Sequence, residues 1–302
     1  VLSDDTTVVA APLFHGFGLF GANLALALSS TIVLRNRFDP ERVLADIAAN
    51  RAKVLVVVPV MLQRLLSLPR SVIDSYDTSS LRVVLCGGAA LSGELANRFM
   101  DRFGDVVYNV YGSTESGFAT VANPRDLRKA PGTAGRPTPG VTVRIVDERG
   151  ERVANGTVGR VLVGSGLRMD GYTGGGGKEI IDGLVVTGDV GHLDRWGRLF
   201  IDGRDDDMIV SGGENVFPAE VEDVLMTHPA VAEAAVIGVP DAEFGQRLRA
   251  FVALADGHNA TEDELKSYVH DQLARFKTPR DVVFVGALPR TATGKVLKRE
   301  LQ

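Results

Sequence analysis

With 302 residues, 45% of them apolar and 24% charged, the chain has the length and balance of an ordinary globular protein with a sizeable core. A net charge of −5 without a basic block argues against nucleic acid or an anionic membrane as the main partner. The single cysteine, Cys86, excludes an internal disulfide; in its apolar run it reads as a buried, inert thiol in a reducing, cytoplasmic setting.

Residues 8–34 carry no formal charge, but Pro12, His15, Gly16, Gly18, Gly21 and Asn23 interrupt them. About a dozen strongly apolar positions remain, fewer than the roughly 18 a membrane span needs, so a core segment is expected and no span. The start, Val1-Leu2-Ser3, has neither an initiator Met nor a signal-peptide pattern, which suggests a fragment.

Apolar, β-branched runs recur at 6–11, 31–34, 54–58, 81–86 and 106–110. Their starts lie roughly 25 residues apart, with helix-like segments such as 40–50 and 93–103 between them, which is the pitch of βαβ units. Asp39-Pro40-Glu41 supplies a cap, a first-turn Pro and an acid to open one helix. After Pro124 the pattern changes to short strands at 141–146, 159–163 and 199–202, with a hairpin around Trp196-Gly197. Past the charged joint 203–207, a helix over 218–227 and alternating strands over 231–239 and 248–254 restart an α+β pattern. A capping box, Thr261 with Glu264, opens a further helix. The expected fold is α/β: a partial, mostly parallel sheet domain with a β-rich subdomain, then a small α+β C-terminal lid domain. The boundaries expected are 1–205 (1–125 sheet, 126–205 β-rich) and 206–302.

Gly16, Gly18 and Gly21 match the dinucleotide-binding spacing, which would suit an NADP-binding oxidoreductase. Four residues separate the strand from Gly16, however, and no acid follows the next strand before Asp39. Close helix–sheet packing is the plainer account of these glycines. Gly174–Gly177 with Lys178 imitate a phosphate loop, but Tyr172 and Glu179 stand where Gly and Ser/Thr belong, so a surface loop is expected. Val106–Val110 leads into Tyr111-Gly112-Ser113-Thr114-Glu115, a strand end whose hydroxyls and carboxylate suit a phosphate with its magnesium, or simply a polar turn. Asp189, after an apolar strand, could accept from two vicinal hydroxyls, and Arg204 could donate to the same sugar. Either alone reads as a surface ion-pair partner. Lys295, in a Thr/Gly-rich loop, is a mobile point charge or an ordinary solvated lysine.

In this order and spacing the pieces resemble the adenylate-forming superfamily of acyl-CoA synthetases, aryl-CoA ligases, luciferases and nonribosomal adenylation domains, over nearly the whole chain. The resemblance implies an acyl pocket at Phe14, His15 and Gly16, and an adenine loop at Gly87, Gly88, Ala89 and Ala90. It implies ATP/AMP binding by Asn109, Tyr111, Gly112, Ser113 and Thr114, with Glu115 on Mg²⁺ and Asp189 and Arg204 on ribose. Asp206 would be a hinge, Ser211-Gly212-Gly213-Glu214 the loop serving thioester formation with coenzyme A, and Lys295 the catalytic lysine of adenylation. The implied reaction joins a carboxylic acid to CoA at the expense of ATP, through an acyl-AMP. The apolar segment 14–28, with glycines leaving room for a chain, favours a fatty acid; an aryl acid is the nearest alternative, and a catalytically silent nucleotide-binding fragment another. The family's upstream phosphate loop is missing, so the chain is expected to adenylate poorly by itself. Self-association or a complementing N-terminal segment is expected to cover its exposed apolar faces.

Overall fold

The computed structural model describes residues 3–291 and 294–301. They form two units: residues up to 187 together with 192–201, and residues 188–191 together with 202 onwards.

The first unit begins with the strand–helix alternation. Strands β1 (Thr6–Val9), β2 (Thr31–Leu34), β3 (Val54–Val57), β4 (Val83–Gly87) and β5 (Val107–Ser113) are parallel, in the order β2-β1-β3-β4-β5. Helices α1 (Gly16–Ala27), α2 (Pro40–Asn50), α3 (Pro59–Leu66), α4 (Arg70–Asp74) and α5 (Gly93–Phe103) connect them. The local chemistry is as anticipated at α2, where the Asp39 carboxylate accepts from the Arg42 amide at 2.9 Å; at α5 the Ser92 hydroxyl accepts from the Leu95 amide at 3.2 Å. Val54–Val57 are buried on both faces, as a central parallel strand requires, and Leu44, Ile47, Leu62 and Phe99 fill the core beside them.

The fifth strand, expected to end at a glycine, reaches Ser113. β5 runs through Tyr111, Gly112 and Ser113, then folds back at 114–116 into the antiparallel β6 (Gly117–Ala122). Glycine makes the reversal possible: Gly117 has φ +72, and a Cβ on Gly112 would lie 2.2 Å from the Gly117 carbonyl. Helix α6 (Pro124–Lys129) and the short β7 (Arg136–Pro137) complete the sheet edge.

A second sheet follows, from β8 (Thr142–Val146), β9 (Gly159–Gly164), β10 (Ile180–Ile181), β11 (Leu184–Leu193) and β12 (Leu199–Arg204), ordered β10-β11-β9-β8 with β12 on β11. The hairpin expected at Trp196-Gly197 is present, Asp194 donating its amide to the Arg198 carbonyl at 2.9 Å. Residues 171–179 contain no helix, as expected of a surface loop.

The second unit has its own sheet and core. Strands β13 (Ile209–Ser211), β14 (Glu214–Val216), β15 (Val231–Asp241), β16 (Gly245–Leu254) and β17 (Asp281–Phe284) are ordered β14-β13-β16-β15, with β17 parallel to β16. Helices α7 (Pro218–Met226) and α8 (Glu262–Gln272) bury Val221, Leu225, Leu265 and Val269 against Val236, Leu248 and Val252. The Thr261–Glu264 capping box forms. Among the described residues, no helix is long and apolar enough to cross a membrane.

Candidate nucleotide and acyl site

In the first unit the site gathers at the β5–β6 turn. Ser113 shapes the turn, its hydroxyl lying 3.1 Å from that of Ser116 and accepting the Ser116 amide at 3.2 Å. Thr114 is exposed, and its Oγ1 lies 3.5 Å from the point where a Cβ on Gly16 would stand. The head of α1 and the turn after β5, some hundred residues apart in sequence, are therefore neighbours in the fold. Burial works to raise the Glu115 carboxyl, but hydrogen bonds from Tyr172, its own backbone amide and Ser113, with the charge of Lys178, hold it below its ordinary value. A carboxylate kept ionised beside hydroxyls is an all-oxygen donor set.

That set fits magnesium held jointly with phosphate oxygens, since Mg²⁺ commonly takes only one or two carboxylates and keeps several waters. An all-protein cage is not what the described residues offer: no group of three or more His, Cys, Asp or Glu among them is placed to hold a metal.

Around this turn, Phe14, His15 and Gly16 are exposed, Phe14 at 74%. His15 occupies the N-cap of α1 without a side-chain capping bond, and its ring lies 5.2 Å from that of Phe14. Phe20 and Phe118 have ring centroids 3.8 Å apart. Of the three glycines of α1, Gly18 and Gly21 do not leave room for a chain, contrary to the sequence reading. A Cβ at Gly18 would meet the Pro12 carbonyl at 2.2 Å, and one at Gly21 would meet Val56 at 2.7 Å. Protein already fills both spaces, so these glycines serve helix–sheet packing, the plainer alternative. Cys86 is fully buried, and burial pushes its thiol up, as expected of an inert sulfur.

Gly87 closes β4, and a Cβ there would strike the Val110 carbonyl at 2.7 Å; Gly88 (φ +81), Ala89 and Ala90 lie exposed beyond it. Tyr111 is half-buried against the core of the β-rich sheet. Asn109 is 6% exposed, and its Nδ2 donates to the Thr133 carbonyl at 3.1 Å.

In the second unit, Arg204 reaches Asp189 at 3.3 Å and Asp206 at 2.8 Å. The bond to Asp206 comes first among the causes raising the Arg204 pKa, and Arg204 is first among those lowering Asp206, to which the charge of Lys295 also contributes. Asp206 sits in a 3₁₀ turn over Asp205–Asp207. Lys295 is exposed, its amide donating to Thr291 Oγ1 at 3.1 Å; Ala292 and Thr293 lie outside the described residues. Gly212 and Gly213 form a two-residue turn between β13 and β14, with φ of +61 and +85 and with Ser211 paired to Glu214.

Sequence reasoning missed Tyr172. Its hydroxyl donates to Glu115 Oε1 at 2.8 Å, while the Met169 amide donates to the Glu115 carbonyl at 2.9 Å. A lone Tyr before a glycine run carries no periodic signal, and the 57-residue separation hides the pairing.

Comparison with known proteins finds relatives across nearly the whole chain. The family model described as "AMP-binding enzyme" matches residues 1–173, and "AMP-binding enzyme C-terminal domain" matches 220–295. The chain is 39% identical to a feruloyl-CoA synthase of Amycolatopsis sp, over 99% of this chain and 62% of that protein. It is 36% identical to an indoleacetate–CoA ligase of Aromatoleum aromaticum, over 99% of this chain and 59% of that one. The crystal structure of ATP-bound MatB from Rhodopseudomonas palustris superposes with a TM-score of 0.90 at 35% identity, over 99% of this chain and 60% of that one. The chain thus spans about three-fifths of the length of these relatives.

Proposed function

The chain belongs to the family of AMP-binding enzymes, and from that membership we propose that it is the larger part of an ATP-dependent acid–CoA ligase. The observation that carries the reading is the neighbourhood of Gly16 and Thr114. A segment suited to an organic acid and a turn suited to phosphate lie side by side, as attack of a carboxylate on a phosphoryl group needs.

In the proposed first step the substrate carboxylate attacks the α-phosphorus of ATP. The P–O bond to pyrophosphate breaks as the acyl–phosphate bond forms, and no general base is needed because the nucleophile is already ionised. Magnesium held at Glu115 would neutralise phosphate charge. Thr114 would donate to a phosphate oxygen, Asp189 and Arg204 would hold the ribose, and Lys295 would stabilise charge on the reacting oxygens. In the second step the CoA thiolate displaces AMP, with Gly212-Gly213 serving the pantetheine and Asp206 acting as the hinge between the two half-reactions.

For the acid, an aryl-bearing carboxylate is the better-supported substrate. The exposed Phe14 ring beside His15 and the Phe20–Phe118 pair supply faces and edges for a flat ring, and both CoA-ligase relatives carry aryl acids in their names. The fatty-acid reading loses its main support, because the spaces at Gly18 and Gly21 are filled.

The test is acid-dependent ATP–pyrophosphate exchange and thioester formation by the full-length protein against a panel of aryl and alkyl acids. Exchange should be strongest with an aryl acid, and Lys295→Ala should lower it by about two orders of magnitude or more. Exchange that is indifferent to Lys295 would overturn the mechanism; exclusive use of long alkyl acids would overturn the substrate class alone.

A further inference from the structure

A cavity of about 520 Å³ lies elsewhere in the first unit, between α6, the corner at Asn123, Arg136 of β7 and the Trp196 hairpin. It is remote from the turn at Thr114: Ala122, beside Asn123, pairs with Asn109, whereas Gly117 pairs with Ser113, so five residues of strand, ~17 Å, intervene.

Its walls carry four cations in a chain whose net charge is −5. Two are held by carboxylates, one of which, Asp126, also lines the cavity. Arg198 is 6% exposed and held by Asp194 through Nε at 2.7 Å and Nη2 at 2.6 Å, while Arg136 is held by the buried Asp126 at 2.6 Å. Arg125 and Lys129 are exposed, stand four residues apart on α6 and so share one face, and no carboxylate pairs with either among the described residues. The Arg195 and Arg198 guanidinium groups lie 3.8 Å and 4.7 Å from the ring centroid of Trp196, which is itself 55% exposed. Two guanidinium groups held by carboxylates and two cations without a carboxylate partner match a ligand with several oxyanions. The concave shape favours a small anion over a flat protein surface.

We propose that this cavity binds a small anion with two adjacent phosphoryl groups, either free pyrophosphate or the diphosphate of a nucleotide, at a site separate from Thr114 and Glu115. Arg136 and Arg198 take one phosphoryl group, and Arg125 and Lys129 take the other. The site stands independently of the ligase reading, because its test involves no turnover.

Trp196 is the only tryptophan of the chain, so intrinsic fluorescence reports on this wall. Pyrophosphate titrated at constant ionic strength should change the emission saturably, and inorganic phosphate should bind about tenfold more weakly. Arg125→Ser with Lys129→Ser, both exposed positions, should raise the half-saturation point about tenfold or more while leaving the fold intact by circular dichroism. ADP matching pyrophosphate assigns the site to a nucleotide; pyrophosphate alone assigns it to the free anion. A response that does not saturate, that sulfate reproduces at equal concentration, or that the double variant leaves unchanged would overturn the proposal. The last result would trace the signal to another phosphate site.

Discussion

Tyr172 and Glu115 show how one hydrogen bond can prepare a site. The phenol donates to one carboxylate oxygen, and with the Ser113 and backbone bonds it restrains the carboxylate. Tyr172→Phe removes the bond while keeping the ring, so MgATP should bind about fivefold more weakly to the full-length protein, with ATP in the absence of divalent cation little affected. Calorimetry with and without Mg²⁺ separates the two; equal weakening in both conditions would show that the tyrosine only packs. At this scale the sequence was uneven. Thr114, Glu115, Asp189, Arg204 and Lys295 stand out as candidates because hydroxyl, carboxylate and cation chemistry attaches to residue type. For Asn109 a polar residue type does not say which way the side chain turns, and here its Nδ2 meets the Thr133 carbonyl. Gly18 and Gly21 misled for a related reason: a missing side chain marks either a vacancy or a close approach, and only packing tells them apart.

Among elements, α2 and α5 were legible to the residue, since caps and first-turn prolines are local signals. β6 was not foreseen. Its pairing to β5 depends on Gly117 at positive φ, and the same residues could equally have capped a helix. The β13–β14 turn offers an internal comparison of two glycines. Both have positive φ, but a Cβ at Gly213 meets nothing within 4 Å, whereas one at Gly212 lies 2.9 Å from the Phe244 ring. Gly213→Ala should therefore cost only left-handed strain, about 1 kcal/mol, and Gly212→Ala about 1–3 kcal/mol more through the clash. Thermal melting of the two variants measures the difference; equal losses would show that Phe244 swings away freely.

For the whole molecule, acid is the informative perturbant. Burial works to raise Asp281, but bonds from Arg249 and Arg247, with their charges, hold it below the ordinary aspartate value. The Phe244 and Glu243 amides, together with Arg247, likewise lower Asp241. Groups depressed in the folded state stabilise it fully above their unfolded pKa, near 4, and lose that contribution as pH falls through the folded value. The second unit should thus weaken as pH drops below about 4. At pH 7, Asp281→Asn should cost about 1 kcal/mol, a modest figure because the side chain is partly exposed and screened. That gap should narrow as pH falls below about 4 and through the folded pKa of Asp281, where the native side chain gives up its charge. Melting curves at pH 7, 5, 4 and 3 follow it, and a gap constant across the range would show that the network contributes shape rather than charge.

The segment 133–135 links the two sheets of the first unit. Asn109 and Thr120 donate into it from the parallel sheet, at 3.1 Å and 2.6 Å. Leu199 of β12 exchanges bonds with Ala134 and Gly135 at 2.8 Å and 2.7 Å, and also accepts the Thr133 hydroxyl. Thr120, Thr133 and Leu199 are wholly buried, so opening one sheet strands unpaired polar groups in the other. The parallel sheet and the β-rich sheet accordingly share one cooperative transition, a single foldon joined by a polar weld, and a break in the backbone between them would compromise both.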